Sequence, residues 1–310
     1  MKFDLEKFKG VFVALYSAYD DEGNVSPERA KALTRYYIEK GVKGLYVGGS
    51  SGEGVLQNEE ERKIMLEAVM EEAKGSNLTI IVHVGANSTP ESVRLAKHAE
   101  SLGVDAISSI PCVYYGFSPL AIKRHWTAMI DATELPFIIY HIPQTTRFNL
   151  PISLFEEMAK MEKVIGIKCS SESTFELQQF KYIGTRAKNG NEFIVFNGPD
   201  EQFIAGRMIG ADSGIGGTYG VMPELFMKLN ELFKEGKIEE ARVLQNEVNE
   251  VIKGLLSGPS LYGVTKYMLE LRGIKNGQVR GPMLPVETEE HIKLCKDLNT
   301  KIEELINKFC

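Results

Sequence analysis

Along the chain, short apolar runs alternate with stretches whose apolar residues recur every three to four positions. The runs are VFVALY (11–16), GLYV (44–47), TIIVHV (79–84), AISS (106–109), FIIY (137–140), VIGIK (164–168), FIVF (193–196) and SGIG (213–216). Each has the length of a strand and is almost continuously apolar, the pattern of a strand covered on both faces. Between them the periodicity predicts helices near 26–40, 58–73, 89–102, 118–132, 152–161, 174–183, 201–209 and 223–233. Ser26-Pro27-Glu28 offers an N-cap with proline in the first turn, and Thr89-Pro90-Glu91 repeats the signal.

Strands alternating with helices at a repeat of roughly 30 residues imply parallel βαβ units. Eight such units close most naturally into a (β/α)8 barrel, an α/β TIM barrel over residues 1–233, with a doubly wound open sheet as the competing fold. Beyond 233 the pattern is purely helical, near 238–256, 261–271 and 289–308, so residues 234–310 are expected to form a C-terminal helical region packed on the barrel. The stretch RGIKNGQVRGPMLP (272–285) reads as linker-like.

Charge and composition narrow the function. With 36 Lys+Arg against 42 Asp+Glu the net charge is -6, and no basic cluster is long enough to follow a phosphate backbone, which excludes nucleic acid as a partner. The first residues, MKFDLEKFKG, lack an apolar core of signal-peptide length, and no stretch approaches the roughly 18 apolar residues of a membrane span. A soluble, cytoplasmic protein without membrane partners is expected. Cys112, Cys169, Cys295 and Cys310 form no C-x-x-C pair, and the five histidines lack metal-ligand spacing, so neither disulfides nor a metal site is expected.

In such a barrel the chemistry belongs at the C-terminal ends of the strands. Polar residues there are GGSSGEG (48–54), Tyr140, Lys168, NGPDE (197–201) and GIGGTYG (214–220). Lys168 ends an apolar run, and an ammonium is rarely buried unpaired. Either it pairs with a carboxylate at the strand end, or desolvation lowers its pKa and leaves an amine able to form a Schiff base with a carbonyl. Cys169 should face the other side of the strand and pack. Tyr140 is either an amphipathic packing residue or a proton shuttle beside Lys168.

Gly48-Gly49-Ser50-Ser51-Gly52 fits the G-x-S-x-G elbow of serine hydrolases, but that motif needs a helix directly after the serine, and here the helix begins near Asn58. The better reading is a flexible turn whose backbone N–H groups and two hydroxyls, Ser50 and Ser51, grip a carboxylate. GIGGTYG is either a ligand-free turn or an anion site. Asp200 and Glu201 are either helix-start residues favoured by the dipole or acceptors for a polyhydroxylated substrate.

Taken together, GLYVGGSSGE, YYGFS, IIYHIP, GIKCSS, FNGPDEQF and GADSGIGGTY occur in an order that resembles the pyruvate-dependent class I aldolase superfamily of N-acetylneuraminate lyase and dihydrodipicolinate synthase. The resemblance runs from about Gly10 through the C-terminal helices. It implies that Lys168 forms a Schiff base with pyruvate, that Tyr140 relays protons and that Ser50 and Ser51 bind the pyruvate carboxylate. It also implies that Tyr114 reaches a neighbouring subunit's site and completes a relay through Ser51, in a homotetramer built as a dimer of dimers. Ser170 and Gly198, in two of the matching segments, join Asp200, Glu201 and Gly217 as candidate substrate-binding residues. The lysine itself replaces any metal or organic cofactor.

Two positions separate the branches. The synthases carry an arginine two residues after the proline of the YHIP segment, which is Thr145 here, whereas the lyases carry an Asp-Glu pair matched by Asp200 and Glu201. The lyases' serine in the loop after the eighth run is Gly217. The lyase branch is therefore expected, cleaving a 2-oxo sugar acid into pyruvate and an aldose. Condensation of pyruvate with aspartate semialdehyde is the first alternative, and a non-catalytic barrel that binds an oxo acid is the second.

Overall fold

The computed structural model describes residues 3–310. Among them, eight strands pair in parallel and in chain order into a closed barrel: β1 (Val11–Ala14), β2 (Gly44–Val47), β3 (Thr79–His83), β4 (Ala106–Ser109), β5 (Phe137–His141), β6 (Val164–Cys169), β7 (Ile194–Asn197) and β8 (Ser213–Gly216). The helices are α1 (Pro27–Lys40), α2 (Glu59–Ala73), α3 (Thr89–Leu102), α4 (Pro119–Asp131), α5 (Pro143–Thr146), α6 (Ile152–Ala159), α7 (Thr174–Ala187), α8 (Phe203–Met208), α9 (Pro223–Lys234), α10 (Ile238–Leu256), α11 (Leu261–Leu271) and α12 (Glu289–Phe309). Among the described residues no helix is long and apolar enough to cross a membrane.

Each strand divides its side chains between two cores, as a closed barrel requires. Phe12, Tyr46, Ile81, Ala106, Ile138, Ile165, Phe196 and Ile215 fill the inside, closed below by Leu5 and Phe8. Val13, Leu45, Ile107, Ile139, Ile167 and Val195 pack outward against the helices. Cys169 belongs to this outer core, as alternation from Lys168 predicts. One irregularity decides the site: between β5 and β6 the register steps from Phe137↔Val164 to Ile138↔Gly166, so Ile165 is an extra residue. The bulge lets Ile165 fill the barrel while Val164 and Ile167 both point outward.

The helix starts follow from their caps. Ser26 accepts from Arg29 N–H, and Asn58 forms a reciprocal capping box with Glu61. The third helix starts one residue earlier than its sequence signal suggests, since the capping hydroxyl is Ser88 and Thr89 is already helical. The segment after β7 is shorter than expected: a 3-10 turn over Asp200–Gln202 precedes α8.

Residues 272–285 do not behave as a linker. Asn276 is buried and its carbonyl accepts from Tyr19 N–H at 3.0 Å, while the Arg280 guanidinium forks the Glu61 carboxylate at 2.8 and 2.5 Å. Glycine and polar composition signals turns, but it does not reveal side-chain anchors that lie more than 200 residues away.

Candidate active site

The strand ends supply a cleft of about 330 Å³, the size range of small-molecule sites. Lys168 and Tyr140 form its floor, Ser50 and Ser51 one wall, and Asp200, Glu201 and Gly217 another. A wider concavity of about 540 Å³ lies on the outer face of α7, against Phe175 and Tyr182, away from the strand ends.

Lys168 and Tyr140 are register partners across β5 and β6, so both face the barrel mouth. Lys168 is 5 % exposed, and its Nζ lies 4.0 Å from the centre of the Tyr140 ring and 4.7 Å from that of Tyr46. No carboxylate lies within ion-pair distance of it among the described residues, which disposes of the strand-end salt bridge. Burial alone would raise the Tyr140 phenol, but the Lys168 charge and hydrogen bonds with Lys168, Ser50 and Ser170 outweigh it and hold the pKa below the ordinary value. The phenol is thus an acid whose proton is unusually easy to move.

The turn 48–54 is shaped by backbone demands. Gly48 has φ 72°, and a Cβ at Gly54 would strike the Gly48 carbonyl at 2.1 Å. Glu53 N–H donates to Ser50 O at 3.1 Å, presenting Ser50 to the cleft while Ser51 stays buried. Tyr262, on α11, lines the same cleft beside Ser51, and its phenol is pushed up to about 12, chiefly by burial, which outweighs the lowering influence of the Ser51 hydroxyl.

Asp200 is held where it can accept. Thr218 donates its N–H (2.7 Å) and its hydroxyl (2.6 Å) to Oδ2, while the buried Oδ1 has no partner among the described residues. Burial, with Glu201 adding to it, raises the carboxyl to about 6 against the opposing Thr218 bonds and Lys168 charge. Only glycine fits opposite, since a Cβ at Gly216 would sit 2.3 Å from Oδ1. Ser170 and Gly198 line the same cleft. Tyr114 does not: it lies on the loop before α4, 91 % exposed, with φ 82° and its ring 5.0 Å from that of Tyr115.

Several neighbours of the site carried weaker signals. His83, at the end of β3, packs edge-on to Tyr140 at 6.2 Å. Ile110 N–H donates to its Nε2 (3.2 Å), so Nδ1 bears the proton and donates to Gly48 O (3.2 Å). Burial, then the Arg62 and Lys168 charges, keep this ring neutral. A strand-end survey extended to the third run would have found it. Tyr262 had no such cue, since it comes from a helix outside the barrel repeat, whereas Thr218 lies in the GIGGTYG segment at the end of the eighth run, where only the backbone drew notice. Gln144 and Glu172 also line the cleft, whereas Thr145 caps its own turn by donating to Ile142 O at 3.3 Å.

Comparison with known proteins agrees with this geometry. Residues 7–301 match the model of the dihydrodipicolinate synthetase family. An N-acetylneuraminate lyase of Mediterraneibacter gnavus is 47% identical over 309 residues, covering 99% of this chain and 96% of that protein. N-acetylneuraminate lyase 2 of an Escherichia coli strain is 37% identical, covering 96% and 95%. Among solved structures, a catalytic lysine mutant of the Ruminococcus gnavus sialic acid aldolase superposes with a TM-score of 0.95 at 46% identity, covering 99% of this chain and 100% of that one. A Clostridium difficile relative solved in complex with mannosamine gives 0.85 at 31%, covering 97% and 99%. Near-complete coverage on both sides leaves no part of the barrel or of the C-terminal helices unaccounted for, and the chain belongs to the dihydrodipicolinate synthetase family.

Proposed function

We propose that the protein is a pyruvate-dependent carbon–carbon lyase that cleaves N-acetylneuraminate, or a closely related 2-oxo sugar acid, to pyruvate and an aldose. The observation that carries this reading is the pairing of Lys168 with Tyr140 on the cleft floor, a buried amine beside a phenol with a lowered pKa.

Lys168 Nζ attacks the 2-oxo carbon of the open-chain substrate, and loss of water leaves a protonated imine. Ser50 and Ser51 receive the adjacent carboxylate. Tyr140, as phenolate, takes the C4 hydroxyl proton, the C3–C4 bond breaks, and its electron pair flows into the imine to give an enamine and the aldehyde. Protonation at C3 and hydrolysis of the imine release pyruvate and restore the amine. Asp200 Oδ1 and Glu201 accept from sugar hydroxyls, with Ser170, Gly198 and Gly217 along the same wall. The lysine supplies the electron sink, so the reading needs no metal or organic cofactor.

The reading extends to assembly. Tyr114, Tyr115 and Phe117 form an exposed aromatic cluster suited to cover by a second copy, and Tyr114 then completes the relay through Ser51 in a cytoplasmic homotetramer. Residues 1–233 act as the catalytic barrel and 234–310 as a helical region that walls the cleft through Ile252, Leu256 and Tyr262.

A substrate panel read by pyruvate release, with borohydride trapping, tests it. Borohydride with pyruvate should fix the ligand on Lys168, and Lys168→Ala should abolish adduct and turnover. N-acetylneuraminate should be cleaved much faster than pyruvate is condensed with aspartate semialdehyde, because Thr145 offers no cation for the semialdehyde carboxylate. Glu201→Gln should weaken kcat/KM for the sugar acid by roughly 1.5 to 3 kcal/mol while sparing the adduct. A faster semialdehyde reaction, or an adduct elsewhere, overturns the assignment.

A further inference from the structure

Directly behind the Ser50–Ser51 turn lies a buried ion pair for which the reaction has no use. Glu53 Oε1 faces Lys266 Nζ at 3.3 Å, and both side chains are essentially sealed, at 0% and 1% exposure. Ser17 bridges them, its hydroxyl donating to Glu53 Oε1 and accepting from Lys266 at 3.0 Å. The other carboxylate oxygen accepts from Arg280 N–H at 2.8 Å, and Lys266 donates further to Gln278 O at 2.8 Å. The pair thus ties together the chain after β1, the turn after β2, helix α11 and the segment 278–280.

Such a pair is a poor choice for stability alone. Removing two charges from water is costly, and apolar residues of similar volume serve a fold as well or better. Burial pushes Lys266 down to about 8 even though Glu53 opposes it. Glu53 also sits in the left-handed region, with φ 54°, a conformation that persists in a non-glycine residue only where its surroundings enforce it. What the pair does secure is position. One turn along α11 from Lys266, on the same face, is Tyr262, which lines the cleft together with Ser51. Helix α11 therefore holds the turn from behind through Glu53 and flanks Ser51 in the cleft through Tyr262.

We propose that Glu53 and Lys266 are positioning residues whose buried ion pair locks the Ser50–Ser51 turn onto α11 and so presets the pocket for the substrate carboxylate. This rests on the reading that Ser50 and Ser51 receive that carboxylate. The C-terminal helices then set the geometry of a site whose reacting groups all come from the barrel.

The test uses Glu53→Gln, Lys266→Met and the double variant, read by Tm, by amide hydrogen exchange over residues 48–56 without ligand, and by the pyruvate concentration giving half-maximal borohydride-trapped adduct. Each single variant strands one buried charge and should lose stability. The double variant removes both charges and should regain most of the Tm. Its turn should nevertheless exchange faster, and half-saturation should rise by about tenfold or more, with a smaller change in kcat at saturating substrate. Wild-type exchange and half-saturation in the double variant would reduce the pair to a structural filler and overturn the proposal. Should the double variant not fold, Glu53→Asp decides: it keeps the charge but withdraws it by one methylene, and unchanged exchange and half-saturation there sink the idea equally. If the wild-type protein itself forms no pyruvate adduct, the carboxylate reading fails, while exchange over 48–56 still judges the clamp.

Discussion

Lys168 Nζ lies 4.0 Å from the centre of the Tyr140 ring because the two residues are register partners on adjacent strands. That partnership depends on the bulge one turn of the pleat below it. Were the register continuous from Phe137↔Val164, with Ile165 paired rather than bulged, Tyr140 would pair with Ile167, and the phenol would be left without its amine. Gly166 makes the bulge sterically possible, since a Cβ there would meet the Ile194 carbonyl at 2.4 Å.

Tyr140→Phe removes one hydroxyl from a side chain packed on Tyr46 and His83, so the fold should survive. The expected outcome is a fall in kcat of about 10²- to 10⁴-fold with the Lys168–pyruvate adduct still trapped by borohydride. A near-normal kcat would mean that another group moves the C4 proton.

Asp200 sets two opposite pH dependences. Its folded pKa, about 6, lies above the ordinary 3.8, so between these values the folded protein holds a proton that the unfolded chain has lost. Its contribution to stability is complete below about pH 4 and is lost as pH rises through 6, on the order of 3 kcal/mol in all. Catalysis should run the other way. Protonation below pH 6 removes an acceptor for sugar hydroxyls, so kcat/KM for the sugar acid should drop on that limb while half-saturation by pyruvate stays level. Asp200→Asn should flatten the limb and the stability slope together, which denaturant titrations and rate profiles from pH 4 to 8 would measure.

Much of the barrel was legible because parallel strands buried on both faces leave continuous apolar runs, and all eight runs lie on or within a residue or two of observed strands. The strand-end rule likewise brought Lys168, Tyr140, Ser50, Ser51 and Asp200 to one cleft. Three features escaped it for physical reasons. A bulge leaves no mark in an apolar run, since Ile165 and Ile167 look equivalent until register assigns them to opposite faces. Glu53 stands in a quoted motif, but its partner Lys266 is 213 residues away, and a buried pair reads in sequence like two solvated charges. Segment 272–285 has the composition of a linker and the contacts of a core strap.

The exposure of Tyr114 bears on assembly. A tyrosine 91 % exposed on a backbone with φ 82° is costly for a single chain and reasonable if another subunit covers it. Tyr114→Phe should lower kcat while leaving the adduct, and mixing it with Lys168→Ala subunits should restore activity in hybrids that pair an intact Lys168 site with an intact Tyr114 donor. Proven subunit exchange without any recovery would show that each site is complete within its own chain.

Gly217 offers the sharpest probe of how the two halves of the cleft are coupled. The lyase resemblance places a serine there, which invites the expectation that Gly217→Ser would add a hydroxyl for the sugar. The geometry argues otherwise. A Cβ at 217 would stand 2.9 Å from Ser51 Oγ, so the Ser51 hydroxyl must rotate, and its bond to the incoming carboxylate goes with it. A hydrogen bond to a charged group contributes roughly 1.5 to 3 kcal/mol, so the pyruvate concentration for half-maximal adduct should rise about tenfold or more. The Gly217 carbonyl, which accepts from the Tyr16 hydroxyl, keeps its partner, so Tm should hold. If the variant instead binds pyruvate normally and cleaves the sugar acid faster, Ser51 is free to move without cost, and the carboxylate is held by Ser50 and the backbone of the turn.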